Sequence, residues 1–109
     1  MGNKTQLTMF TKHDEDKAPL VHMLEVPRAM AGMCEVIAYG ATKYEKNNWR
    51  KATSIEDQER CMSACLRHIT SYHRGEFVDP DTGLHHLAHA ITNLAFLIEV
   101  THDTVPASS

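Results

Sequence analysis

Apolar side chains recur at helical spacing over three stretches of the chain, and no stretch alternates as a half-buried strand would. The first begins at Pro27, a residue suited to an opening helical turn, and runs to about Glu45 with Met30, Cys34, Ile37, Ala38 and Ala41 on one face. Arg28, Gly32, Glu35, Tyr39 and Lys43 mark its opposite edge. Gly40, costly inside a helix, predicts either a close approach of another backbone or a kink. The second stretch starts where Ser54 can cap and Glu56, Asp57 and Glu59 place acid in the first turn; it runs to Arg74, and Gly75 stops it. Ile55, Met62, Cys65, Leu66, Ile69 and Tyr72 form its apolar stripe. The third starts near Thr82, read as its cap, and continues to Val100. Leu84, Leu87, Ala88, Ile91, Leu94, Ala95 and Ile98 define a broad apolar arc, which Phe96, Leu97 and Val100 extend almost all round, so its C-terminal half is expected to be buried. The predicted fold class is all-α, a small bundle of three main helices. Helices of ~20 residues are only ~30 Å long and enclose little. A homo-oligomer is therefore expected to complete the core.

The flanks lack this periodicity. Residues 1–19 read as a polar N-terminal arm, 20–100 as a single α-helical domain and 101–109 as a polar tail. A length of 109 residues suits one compact domain, and a net charge of −3 gives no general footprint for nucleic acid polymers. There is no apolar run of the ~18 residues that a membrane span needs and no secretory leader pattern, so the expectation is a soluble, cytoplasmic protein. The three cysteines, with Cys61 and Cys65 one turn apart, suit reduced core thiols better than a disulfide framework.

Composition changes the picture at one point. Eight residues are histidine, and His68, His73, His85, His86 and His89 fall within 22 positions. His85 and His89 are four apart and His86 and His89 three apart, so at least one pair shares a helix face, which Asn93 continues. Glu76, Asp79 and Asp81 lie in the loop before them, and His68 stands near the end of the preceding helix. A mixed nitrogen and oxygen site could draw on His68, Glu76, Asp79, His86 and His89 and hold a divalent cation that bridges phosphates. The blander alternative makes the histidines core or capping groups and Asp79, Asp81 and Thr82 turn builders. Known metal signatures are not met: the D-x-D-x-G at Asp79 has Ala90 where a calcium loop needs glutamate, H-E-x-x-H is absent, and no second thiol pair accompanies Cys61 and Cys65.

A second constellation, Lys43 to Lys51, packs four basic residues and the aromatic rings of Tyr44 and Trp49 into nine positions of an acidic chain. Cations match phosphates, flat rings can stack on a base, and Asn47 and Asn48 offer groups for a base edge. Arg60 and Arg67, seven apart on the next helix, would extend such a surface. As an alternative, the segment is a solvated turn whose one tryptophan plugs the core.

Taken in order, K-A-P-L at Lys17, Y-G-A-T-K-Y at Tyr39, N-W-R-K at Asn48, R-H at Arg67, G-E at Gly75, D-x-x-x-G-x-x-H-x-x-H-A-x-x-N from Asp79 to Asn93 and F-L at Phe96 resemble the phage-associated dATP/dGTP diphosphohydrolase N-terminal family. That resemblance implies an all-α scaffold that uses Mg²⁺ or Mn²⁺ to hydrolyse purine deoxynucleoside triphosphates to monophosphate and pyrophosphate. By position it implies catalytic roles for Glu76, Asp79 and His68 and a metal held by Glu76, Asp79, His86 and His89. Substrate binding falls to Lys43, Tyr44, Asn48, Trp49, Arg50, Arg67 and Asn93. The name sets the family beside MazG-type pyrophosphohydrolases, which hold metal with E-x-x-E and E-x-x-D pairs on facing helices; here Glu76 and Asp79 fall in a loop, and Glu56 and Glu59 have the first of these spacings at a helix start. The other functional reading is a non-catalytic nucleotide-binding sponge that sequesters a cyclic or ADP-ribose-type immune signal, an anti-defence role.

Overall fold

The computed structural model describes residue 13 and residues 15–102; most of the expected arm at 1–19 and the tail from 103 onward lie outside the described residues. Three α-helices form the body: α1 (Pro27–Lys43), α2 (Ile55–His73) and α3 (His86–Thr101). Two 3-10 turns, Leu20–Glu25 and Asn48–Lys51, precede α1 and α2. Among the described residues the single isolated bridge, Val78 to His85, is the one trace of extended pairing, and the all-α expectation holds.

The helix ends follow local chemistry. Pro27 occupies the first turn of α1, which stops at Lys43 instead of Glu45. Ser54 caps α2 by accepting a hydrogen bond from the Asp57 N–H at 3.1 Å. At the other end of α2 the Gly75 N–H reaches the Tyr72 carbonyl and the Glu76 N–H reaches Ser71, with Gly75 at φ 98°, the left-handed exit that a residue without Cβ permits. Helix α3 begins four residues later than Thr82. Its cap is His85, whose Nδ1 accepts from the Leu87 N–H at 3.0 Å, because the loop before it is held by its own bonds.

α3 is the central helix, packed by α2 on one side and α1 on the other. Its buried positions are His86, Ala88, His89, Ala90 and Thr92. The expected burial of its C-terminal half is not met within one chain, since Ile98 is 65% exposed. Gly32, and not Gly40, is the point of close approach: a Cβ at Gly32 would stand 3.0 Å from the Ala88 Cβ, whereas nothing lies within 4 Å of one at Gly40. The stripes of α1 and α2 are also rotated from expectation. α1 half-buries Ala29, Met33 and Val36 together with the expected Met30, and leaves Cys34, Ile37, Ala38 and Ala41 exposed. α2 turns Cys61, Ala64, Cys65 and His68 toward α3, while Met62, Leu66 and Ile69 face solvent. The buried side of α2 is thus the side that carries small and polar groups.

Candidate functional site

The loop between α2 and α3 is a folded clamp. The Asp79 N–H donates to the Leu84 carbonyl at 2.9 Å, the Gly83 N–H returns to the Asp79 carbonyl at 2.7 Å, and the His86 N–H donates to Phe77 at 2.8 Å. The Asp79 Oδ1 accepts from the Asp81 N–H at 2.9 Å, an Asx turn that fixes the carboxylate. Asp79 is thereby buried against the first turn of α3.

Three histidines meet it. His68 Nδ1 and His86 Nδ1 stand 2.8 Å apart, and His86 Nε2 reaches Glu76 Oε1 at 2.8 Å. His89 stacks on His68 with ring centres 4.4 Å apart and planes within 7°. Its Nε2 bonds the Thr82 hydroxyl at 2.8 Å and lies 3.7 Å from Asp79 Oδ2. One ligand-capable atom from each of His68, Asp79 and His86 falls within 4.8 Å of the others. Burial holds the His68 imidazole below its ordinary value, helped by His89, His86 and Arg67 and opposed by Asp79. Burial likewise lowers His89, with Asp79 pulling upward and His86 downward. Both rings are therefore held toward the neutral form, the form that can bind a metal.

The cationic segment lies beside a second feature, an open cleft of about 450 Å³ whose lining includes Asn48, Trp49, Lys51, Arg60 and Arg67 and one carboxylate, Asp57. Phe96 stacks on Trp49 at 4.3 Å with planes 6° apart, and the Arg50 guanidinium lies over the indole at 4.4 Å. The ring on which a base was expected to stack is already engaged. Lys51 pairs with Glu45 at 2.7 Å, and Arg60 stands 3.7 Å from Asp57. Asn93 meets Cys61, whose Sγ lies 3.4 Å from its carbonyl, and burial raises the Cys61 and Cys65 thiols, with Cys65 adding to the shift at Cys61. Neither is an activated nucleophile.

The structure thus brings His68, Glu76, Asp79, His86 and His89 into one centre and Asn48, Trp49 and Arg67 into the cleft. Lys43 and Tyr44 do not line it: Lys43 lies over the Tyr39 ring at 5.5 Å, and Tyr44 is exposed at the end of α1. His85 is a cap that stacks against Phe77. Thr82 is the residue whose part in the centre sequence reasoning missed, because its contact with His89 arises from loop folding and has no helical spacing to signal it. Glu56 and Glu59, about three helical turns from His68, line a neighbouring cleft of about 720 Å³ that Arg60 and Arg67 also border.

The family model described as "dATP/dGTP diphosphohydrolase, N-terminal" matches residues 10–106. A dATP/dGTP diphosphohydrolase of Salmonella phage PMBT28 is 37% identical over 86 residues, which cover 79% of this chain and 28% of that protein. The chain spans little more than a quarter of that relative's length. No solved structure matches. No helix of the described residues is long and apolar enough to cross a membrane.

Proposed function

Since the chain belongs to the dATP/dGTP diphosphohydrolase N-terminal family, we propose that it hydrolyses purine deoxynucleoside triphosphates to monophosphate and pyrophosphate. Water adds its oxygen to the α-phosphorus, the bond to the bridging oxygen breaks, and pyrophosphate leaves. The observation that carries this reading is the continuity of two sites through α2. Arg67 lines the cleft, and the next residue, His68, belongs to the His/Asp centre. A triphosphate laid along Arg60 and Arg67 would direct a phosphate toward that centre, with the cations offsetting its charge.

The donor set suits a divalent ion, because two imidazole nitrogens and a carboxylate converge and both imidazoles are surrounded by groups that orient them. His68, Asp79 and His86 would hold it, and Mg²⁺ or Mn²⁺ is the ion that the family resemblance implies. Such an ion supplies polarisation of a phosphoryl oxygen and a more acidic bound water. The protein's own part is to place the phosphates, keep the two lowered imidazoles neutral and fix the Asp79 carboxylate through the Asx turn. We also read the protein as a homo-oligomer.

The test is to incubate the purified chain with each deoxynucleoside triphosphate and either metal and to separate the products. Monophosphate and pyrophosphate from dATP and dGTP are expected. No turnover of any nucleotide with either metal overturns the reading, and recovery of intact bound nucleotide would replace hydrolysis by sequestration.

A further inference from the structure

We propose that the centre formed by His68, Asp79 and His86 is a nitrogen-rich transition-metal site that discriminates against Mg²⁺, with Glu76 as a positioning residue and not a ligand. The proposal rests on reading this pocket as the place where a divalent ion sits. It goes further by assigning the class of ion and the division between ligands and the groups that orient them.

The assignment follows from which atoms are already committed. A carboxylate only accepts, so the 2.8 Å contact to Glu76 places the His86 proton on Nε2 and leaves the lone pair on Nδ1. That lone pair accepts the hydrogen bond of His68 Nδ1–H, 2.8 Å away and part of the cluster with Asp79, so an ion bound between the two rings would replace that proton, which His68 would carry on Nε2 instead. Glu76 thus does for His86 what outer carboxylates do for metal-bound histidines: it fixes the tautomer and sets the ring angle. Its own side chain stays half in solvent, whereas His86 is 4% exposed.

The other two donors are oriented as well. His89 lies flat against His68 and holds its plane, and the same His89, through Nε2, stands beside Asp79 Oδ2 while bonded to Thr82. Asp79 Oδ1 is occupied by the Asp81 N–H, so Oδ2 is the oxygen left for an ion. Two imidazoles and one carboxylate are a donor set that favours Mn²⁺, Fe²⁺, Co²⁺, Ni²⁺ or Zn²⁺, with affinity rising from Mn²⁺ to Ni²⁺. Mg²⁺ prefers oxygen donors and retained water, and the centre offers it a single carboxylate.

The experiment uses the full chain, freed of any affinity tag and stripped with a chelator, and follows the visible absorption of Co²⁺ as it is added. Expected are saturation at one Co²⁺ per chain, displacement by Zn²⁺, and no displacement by a hundredfold excess of Mg²⁺. Glu76→Gln is expected to weaken Co²⁺ binding by about 10- to 100-fold, with partial recovery in Glu76→Asp and an unchanged far-ultraviolet circular dichroism spectrum. Because Glu76 is half-exposed, this variant reads the site without emptying a buried position, and Asp79→Asn provides the ligand control. Absence of saturable Co²⁺ binding, displacement by that hundredfold excess of Mg²⁺, or unaltered affinity in Glu76→Gln overturns the proposal. Turnover is scored separately: a Co²⁺ site without hydrolysis refutes the enzymatic reading alone, and hydrolysis that survives loss of the site refutes the metal assignment as its cofactor.

Discussion

At the level of single residues, the polar centre exchanges stability for chemistry, and the exchange can be measured. Asp79→Asn keeps an oxygen for the Asp81 N–H but removes the charge that an ion needs, so activity is expected to be lost while the melting temperature changes little. His89→Ala is different. It strips the stacking partner from His68 and leaves the Thr82 hydroxyl with only the bond it accepts from the Leu84 N–H, at an expected cost of about 1–3 kcal/mol in urea denaturation. In chelated protein, acid should destabilise the fold through His68 and His89. Both bind their proton less readily when folded than at the ordinary value of 6.5, so the unfolded chain takes up more protons as pH falls below it. Stability contributed by the neutral rings is thus present above about pH 6.5 and lost as pH falls toward their folded values. A melting temperature lower at pH 5 than at pH 7.5, with a shallower dependence in His89→Gln, is the expected result. The histidine spacing and the Asp79 loop were legible in the sequence because they depend on neighbours in the chain. The bonds of His86 to His68 and Glu76 were not, since they require the relative rotation of α2 and α3.

At the level of helices, the two internal glycines of α1 make opposite predictions. Gly40 meets nothing that a methyl group would strike, so Gly40→Ala should stabilise by about 0.5–1 kcal/mol through helix propensity. Gly32→Val, placed where even a Cβ stands 3.0 Å from Ala88, should destabilise by about 1–3 kcal/mol as α1 is forced from α3. Thermal denaturation of the two variants checks both signs. Helix starts and stops at Pro27, Ser54 and Gly75 could be read directly, because caps and left-handed exits are local devices. The faces could not. In α2 the large side chains Met62, Leu66 and Ile69 attract a stripe drawn by hydrophobicity; of that stripe Cys65 is buried as expected, but its companions on the side packed on α3 are Cys61 and His68 because the centre must be polar. The start of α3 was misplaced for a related reason: Thr82, a good cap by type, is drawn to His89, and His85 takes over the capping.

For the molecule as a whole, buried hydrophobic side chains among the described residues are the small ones Cys65, Ala88 and Ala90, while Leu66, Ile69, Leu94 and Ile98 remain exposed. Apolar burial drives both folding and association, so so small a core leaves a second copy as the expected cover for these faces. Sedimentation equilibrium at micromolar concentration should give a multiple of 12.3 kDa, and Leu66→Glu should lower it; a wild-type monomer would sink the expectation. The stacked pair of Trp49 and Phe96 has a further use. The chain has one tryptophan, and that ring sits at the cleft with Arg50 over it. Its fluorescence is therefore a label-free optical reporter of that surface: an anion that draws Arg50 away must change the emission. Since the indole lines the cleft and is not among the donors of the His/Asp centre, titrations with pyrophosphate and with metal can be read as two separate optical signals from the unmodified protein.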